Sequence, residues 1–372
     1  MKKTLLVAAL LAGFAGAAQA ETSVTLYGIV DAGIGYQRIT GTLNGQDYTA
    51  TRTGVLSGVE SGSRWGLRGT EDLGSGLQAV FQLESGFDIG TGQSQQGNRL
   101  FGRQATVGLQ SESWGRLDFG RQSNIAYKYL ADVVSPFGLG FAQAQAGATF
   151  SQAATLRFDN MVMYQTPNYS GFQFGIGYSF NSDGPQTFRI NGQDNGNSRA
   201  WTTGLRYTNG PLAVALTYDE IRSPDNGILG GAVVEPGVNV RAYALGLSYD
   251  FGPVKAYAGI GQTRNGWLAG GVFPDNQGLG FITEDGMRVN SYTVGLSAPI
   301  GAQSRIFASW GMADPSRENG GADSKQNIYS LGYTYAVSKR TDVYAYGSYA
   351  NHVAFEDDLK STQVGIGLRH QF

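Results

Sequence analysis

Side chains able to make and break bonds are scarce in this sequence. Its 372 residues include no cysteine and two histidines, His352 and His370. A nucleophile-and-base hydrolase needs a histidine beside a carboxylate or hydroxyl. His352 with Asp357 or Asp358 is the one such arrangement available, while His370 stands in a separate strand-like stretch. Gly175-Ile176-Gly177 lies inside an alternating segment, not at a strand-to-helix turn, so it offers no phosphate loop. Oxygens at 191–197 and at Asp225-Asn226-Gly227 have the chemistry to ligate calcium, but solvation of polar loops is the simpler reading. No catalytic residue, cofactor or metal is expected. A formal net charge of −2 gives no reason to expect a nucleic-acid partner.

The elements that carry these residues are strands. Residues 1–20 read as a cleaved export signal: Lys2 and Lys3, an apolar run at 5–14, and Ala18-Gln19-Ala20 before the cut. The rest, 21–372, shows no composition break and is expected to be a single domain. An exported chain without cysteine cannot rely on disulfides. Glycine, at 56 residues, is about twice its usual ~7% share. Period-2 alternation runs from end to end. Trp201, Thr203, Leu205 and Tyr207 share one face, Asn209-Gly210-Pro211 turns the chain, and Leu212, Val214, Leu216 and Tyr218 share that face again.

Sixteen strands are expected, at 22–36, 61–71, 77–88, 99–110, 116–122, 158–167, 171–182, 198–209, 212–222, 238–250, 254–264, 287–299, 303–313, 325–336, 341–351 and 361–372. Most approach the roughly 9–11 residues that cross a bilayer when tilted. Short turns at 72–76, 168–171, 209–211, 252–253 and 337–340 alternate with long polar loops at 37–60, 123–157, 183–197, 223–237, 265–286 and 314–324. This asymmetry belongs to membrane β-barrels, in which the apolar face looks outward and the polar face lines a lumen. An open edge in hydrocarbon would leave N–H and C=O groups unpaired, so the sheet must close. The expected fold is all-β: a 16-stranded antiparallel transmembrane β-barrel.

Several segments resemble the general porins of Gram-negative bacteria, in their β-proteobacterial, neisserial-like branch. They are Val24-Thr25-Leu26-Tyr27-Gly28-Ile29-Val30-Asp31-Ala32-Gly33, Ser63-Arg64-Trp65-Gly66-Leu67-Arg68-Gly69, Arg103-Gln104-Ala105-Thr106-Val107-Gly108-Leu109, Gly120-Arg121-Gln122, and the closing Leu368-Arg369-His370-Gln371-Phe372. The resemblance implies a homotrimer in the outer membrane, in contact with lipid and lipopolysaccharide. It also implies a water-filled channel for small hydrophilic solutes and ions, and Phe372 as a signal read by the barrel-assembly machinery. Phe372 also fits as an ordinary lipid-facing aromatic in a row with Val364, Ile366, Leu368 and His370.

In that family the third long loop folds into the lumen as a constriction and faces arginines on the wall. Here the resemblance places the loop at 123–156, with Lys128, Asp132, Pro136, Phe137 and Gly138 in it. It places the wall cluster at Arg64, Arg103 and Arg157, with Arg68 one pleat repeat from Arg64 and Arg121 at the end of the fifth strand. A lone arginine would be merely a solvated lumen residue. Several together, charged at any usable pH, focus a positive potential. Cation-preferring members carry a glutamate where this chain has Pro136, and Asp132 is the only charge between Lys128 and Arg157. Anion preference follows as the expectation. The rival readings are a porin selective for a small carboxylate or sugar, and a barrel enzyme or adhesin on the same scaffold.

Overall fold

The computed structural model describes residues 23–372 apart from 44, 154–156, 189–190, 192–195, 224–227, 230–231, 234, 270–272, 274–280 and 317–323. The export signal expected at 1–20, Asp225-Asn226-Gly227 and the middle of 191–197 lie outside the described residues.

The first strands are β1 (Ser23–Leu43), β2 (Gln46–Ser57), β3 (Arg64–Gly74), β4 (Leu77–Gly86), β5 (Gln104–Ser111) and β6 (Gly115–Ser123). Two short helices follow, α1 (Ile125–Tyr129) and α2 (Ala131–Val134), then three 3-10 turns between 142 and 153. Strands resume with β7 (Arg157–Gln165), β8 (Phe172–Ser179), β9 (Ala200–Asn209) and β10 (Leu212–Arg222). A small hairpin, β11 (Ile228–Leu229) and β12 (Ala232–Val233), sits in the next loop. The remainder are β13 (Asn239–Asp250), β14 (Lys255–Leu268), β15 (Phe281–Ile300), β16 (Ser304–Ser316), β17 (Gln326–Ala336), β18 (Thr341–Asn351) and β19 (Lys360–Gln371).

Apart from that hairpin, seventeen strands form one antiparallel sheet. It closes where β1 pairs with β19, from Ile29↔Gln371 to Thr40↔Lys360. The other edge of β1 is shared, by β3 over Ser23–Ile29 and by β2 over Ala32–Leu43. β2 and β3 are therefore two halves of one stave broken at 58–63, and the barrel has sixteen staves.

The strand expected at 99–110 begins only at Gln104, so Arg103 stands in the turn before it. The loop expected at 37–60 is mostly strand, because β1 runs on to Leu43 and β2 fills 46–57. The outward positions there are Arg38, Thr40, Thr49 and Thr51, while Ile39 points inward and is buried. With polar residues outside and an apolar one inside, the lipid-facing alternation is reversed. The segment rises above the apolar band, and its period therefore carried no membrane signature.

Within the band the large apolar residues face out. Leu245 and Leu247 are exposed while Ala244 is buried, and Leu216 is exposed between Ala215 and Thr217, which are buried. In water this would be an unstable surface; in hydrocarbon it is the solvated one. Tyr249 with Phe251, and Phe172 with Tyr207, lie outside near the short turns, with ring centroids 4.6 and 4.4 Å apart. They form the aromatic girdle of that rim.

Residues 124–153 lie inside the barrel. Asn124 caps α1 by accepting the Tyr127 N–H at 3.3 Å, and its amide donates to Asp219 Oδ1 and to the Gln152 carbonyl, both at 2.8 Å. Close approach to the wall needs bare backbone. A Cβ on Gly246 would stand 2.4 Å from Val134 Cγ1, and one on Gly295 would stand 2.6 Å from Pro136 Cδ. Leu130, Val133, Val134 and Phe150 are buried against Ala215 and Ala244; each contributes roughly 1.5–3 kcal/mol. Farther along, Gln143 bonds Ser348, Ser361 and Gln363 on β18 and β19. The segment is thus fastened across more than half of the circumference.

Candidate functional site

Strand parity sets the wall of the site. Trp65 faces outward and is partly exposed, so Arg64 and Arg68 share the inward row of β3. Glu84 on β4 lies in the same ladder, opposite Gly66. Arg103, just before β5, donates from Nε to Glu84 Oε1 at 2.7 Å, and Arg64 Nη1 is 3.9 Å from the same oxygen. The Tyr27 hydroxyl donates to Glu84 Oε2 at 3.0 Å and accepts from Gln82 at 2.7 Å. Arg157 opens β7, with its guanidinium carbon 5.7 Å from the ring centre of Tyr127 in α1. Arg64, Arg103 and Arg157 line one cavity of ≈ 710 Å³ together with Pro136 and Phe137 of the inner segment.

Three further arginines that the sequence reading left unassigned line the same cavity: Arg52 on β2, Arg305 on β16 and Arg369 on β19. Arg369 sits 3.3 Å from Glu60 and 2.8 Å from Asp342. Arg305 donates to the Pro136 carbonyl at 3.3 Å and covers the Phe307 ring. For Arg305 and Arg369 strand parity was the available signal, since Leu368 and Ile306 point to lipid and their neighbours must point inward; Arg52 lies in the stretch expected as a loop, which offered none. The acids among the lining residues are Glu60 and Asp88. Glu84 and Asp342 also pair with lining arginines, so four acids stand against six arginines and the balance is a modest positive excess.

The other expected residues lie elsewhere. Arg68 stacks on Tyr27, its guanidinium carbon 5.3 Å from the ring centre, and is not among the lining residues. Arg121 bonds Asp159 at 2.6 Å and the Gly102 carbonyl at 2.7 Å. Lys128 is tucked between segment and wall, donating to Gln122 at 2.9 Å. Asp132 pairs with Arg206 on β9 at 2.8 Å, away from the lining arginines. Gly138 takes a left-handed turn, φ +53°, beside the lining residue Phe137. Phe372 exchanges two 3.1 Å backbone hydrogen bonds with Gly28, and its ring lies where a Gly28 Cβ would be, 2.3 Å from Cζ. Asp358 pairs with Lys360 at 2.8 Å, and His370 points outward beside Thr341.

A closed barrel, apolar outside, with a charged cavity beside an in-folded segment is the architecture of a membrane channel. The comparison with known proteins decides which kind: the Gram-negative porin family model matches residues 7–353. The chain belongs to the Gram-negative porin family. It is 57% identical to an outer membrane porin protein of Bordetella pertussis, over the whole of both chains. It is 27% identical to the major outer membrane protein P.IB of Neisseria meningitidis, again over both full lengths. Among solved structures, the anion-selective porin from Comamonas acidovorans superposes with a TM-score of 0.70 at 28% identity, covering 95% of this chain and 100% of that one. The protein is an outer-membrane porin, and its activity is passive diffusion of small hydrophilic solutes and ions through the lumen.

Proposed function

We propose that this porin prefers anions, and that its eyelet is the gap between the inner segment 124–153 and the wall that bears Arg64, Arg103 and Arg157. The observation that supports this is the cavity lining, six arginines against Glu60 and Asp88, with Glu84 and Asp342 paired to Arg103 and Arg369. In a water-filled pore with low-dielectric walls such an excess concentrates anions and repels cations. Pro136, where cation-preferring relatives have a glutamate, leaves the segment without an acid facing this wall. The name of the Comamonas neighbour agrees with the reading. Exchange of Arg64 and Arg103 for glutamine tests it: selectivity measured in a salt gradient should fall sharply, and unchanged selectivity would overturn it.

The assembly reading follows from the same family. The apolar outer surface of the first strands, which exposes Leu26, Ile34, Trp65, Val107 and Phe119, suits burial against the other chains of a homotrimer within lipid and lipopolysaccharide. The exposed terminal Phe372 suits recognition by the barrel-assembly machinery. Crosslinking of the protein in outer-membrane fractions should trap a three-chain species; a species of one chain alone would count against the trimer.

A further inference from the structure

The break in the second stave is built rather than accidental, and Asp31 of β1 holds it. The Asp31 carbonyl accepts from the Gly58 N–H at 2.9 Å and from the Ser63 hydroxyl at 3.0 Å. Its own N–H donates to Ser63 Oγ at 3.1 Å. Its carboxylate accepts from the N–H groups of Val59 at 3.3 Å and Ser61 at 2.6 Å, and from the Tyr344 hydroxyl at 2.7 Å. One fully buried residue thus takes the N–H groups of Gly58, Val59 and Ser61, which the interrupted ladder leaves without strand partners.

The break in turn touches three parts of the eyelet. The Val59 carbonyl accepts from the N–H of Phe141, at the tip of the inner segment, at 2.5 Å. Gly140 passes so close that a Cβ there would stand 2.0 Å from the Glu60 carbonyl oxygen. Gly62 leaves room for Arg103, whose Nη1 would be 3.0 Å from a Cβ at that position. Ser61 Oγ accepts from Arg369 Nη1 at 3.0 Å. The break therefore locates the segment tip and two lining arginines at once.

We propose that Asp31 is the positioning residue that sets the width of the eyelet: it holds the wall break at 58–63, and the break holds the tip of the inner segment. The inference rests on that segment narrowing the pore, and the test separates the two claims by measuring width independently of charge.

Wild type, Asp31→Asn, Ser63→Ala and Tyr344→Phe are compared as folded proteins in planar bilayers. Single-channel conductance is read first, then the largest polyethylene glycol that still enters the pore. Asp31→Asn should raise conductance about 1.5-fold or more, since conduction follows pore width, and admit larger polymers. The anion-to-cation ratio should keep its direction, because the arginines remain. Ser63→Ala should do the same more weakly, and it decides the matter if Asp31→Asn does not fold. Tyr344→Phe removes a bond to Asp31 without touching the break, and should conduct as wild type. Wild-type conductance and polymer exclusion in the aspartate and serine variants would overturn the proposal. So would an equal rise in Tyr344→Phe. Loss of anion preference with unchanged width would count instead against the charge reading above.

Discussion

Replacing Glu84 with glutamine perturbs the site at the acid that faces two of its arginines. Glu84 accepts from Arg103 at 2.7 Å and lies 3.9 Å from Arg64; the two side chains of the tighter pair are 12% and 8% exposed. Glutamine keeps the shape and removes the charge. Two consequences follow, and they point in opposite directions. Stability should fall by about 2–4 kcal/mol, because one partner of a nearly buried pair is left uncompensated. Anion preference should rise, because the pore gains one net positive charge. For an ion passing about 8 Å away, one charge in water is worth about 0.5 kcal/mol, and screening at 0.1 M salt reduces this to about 0.2. Acting oppositely on anion and cation, that shift multiplies the permeability ratio about two-fold. Urea unfolding in lipid vesicles reads the first effect and the zero-current potential the second. A fall in anion preference, or none of either effect, would show that the Glu84–Arg103–Arg64 contact lies outside the field felt by passing ions.

Other perturbations test separate parts of the account. Gly28→Ala sets a Cβ 2.3 Å from Phe372 Cζ and 2.8 Å from the Arg64 carbonyl; overpacking of this kind costs about 1–3 kcal/mol, visible as a lower thermal transition of the folded barrel. Deleting Phe372 removes its paired bonds to Gly28 and should slow insertion more in vesicles containing assembly machinery than in bare lipid; equal slowing would leave the residue only its structural part. Gly295→Ala pushes a Cβ to 2.6 Å from the Pro136 ring, a rigid neighbour, and should lower conductance by moving the segment into the lumen. Asp132→Asn breaks a pair whose acid is 59% exposed, so unfolding should shift by no more than about 1 kcal/mol.

The barrel was legible because lipid imposes a strict period. Wherever a stave crosses hydrocarbon, as in Trp201 to Tyr218, one face must be apolar, and the hairpin register follows: Leu216 opposite Leu205, Tyr218 opposite Thr203. Above the bilayer that constraint ends, and residues 37–43 and 46–57 read as loop although they are strand. The arginine wall was half legible. Arg64, Arg103 and Arg157 came from family resemblance; Arg305 and Arg369 could be assigned inward by parity but not to a height in the pore, and Arg52 lies in a stretch whose sequence reads as loop. Height depends on stagger between staves, which only the closed ladder reveals. Asp31 shows the same limit: an acid in the first strand reads as a lumen charge, yet it is fully buried and bonded by backbone donors.

The central claim is that the lumen selects for anions through its arginine excess. The most direct measurement is the zero-current potential of the purified wild-type porin in a planar bilayer under a salt gradient. The expected result is an anion-selective potential that weakens as salt rises and screening shortens the reach of the wall charges. A cation-selective potential, or none at any salt concentration, would contradict it.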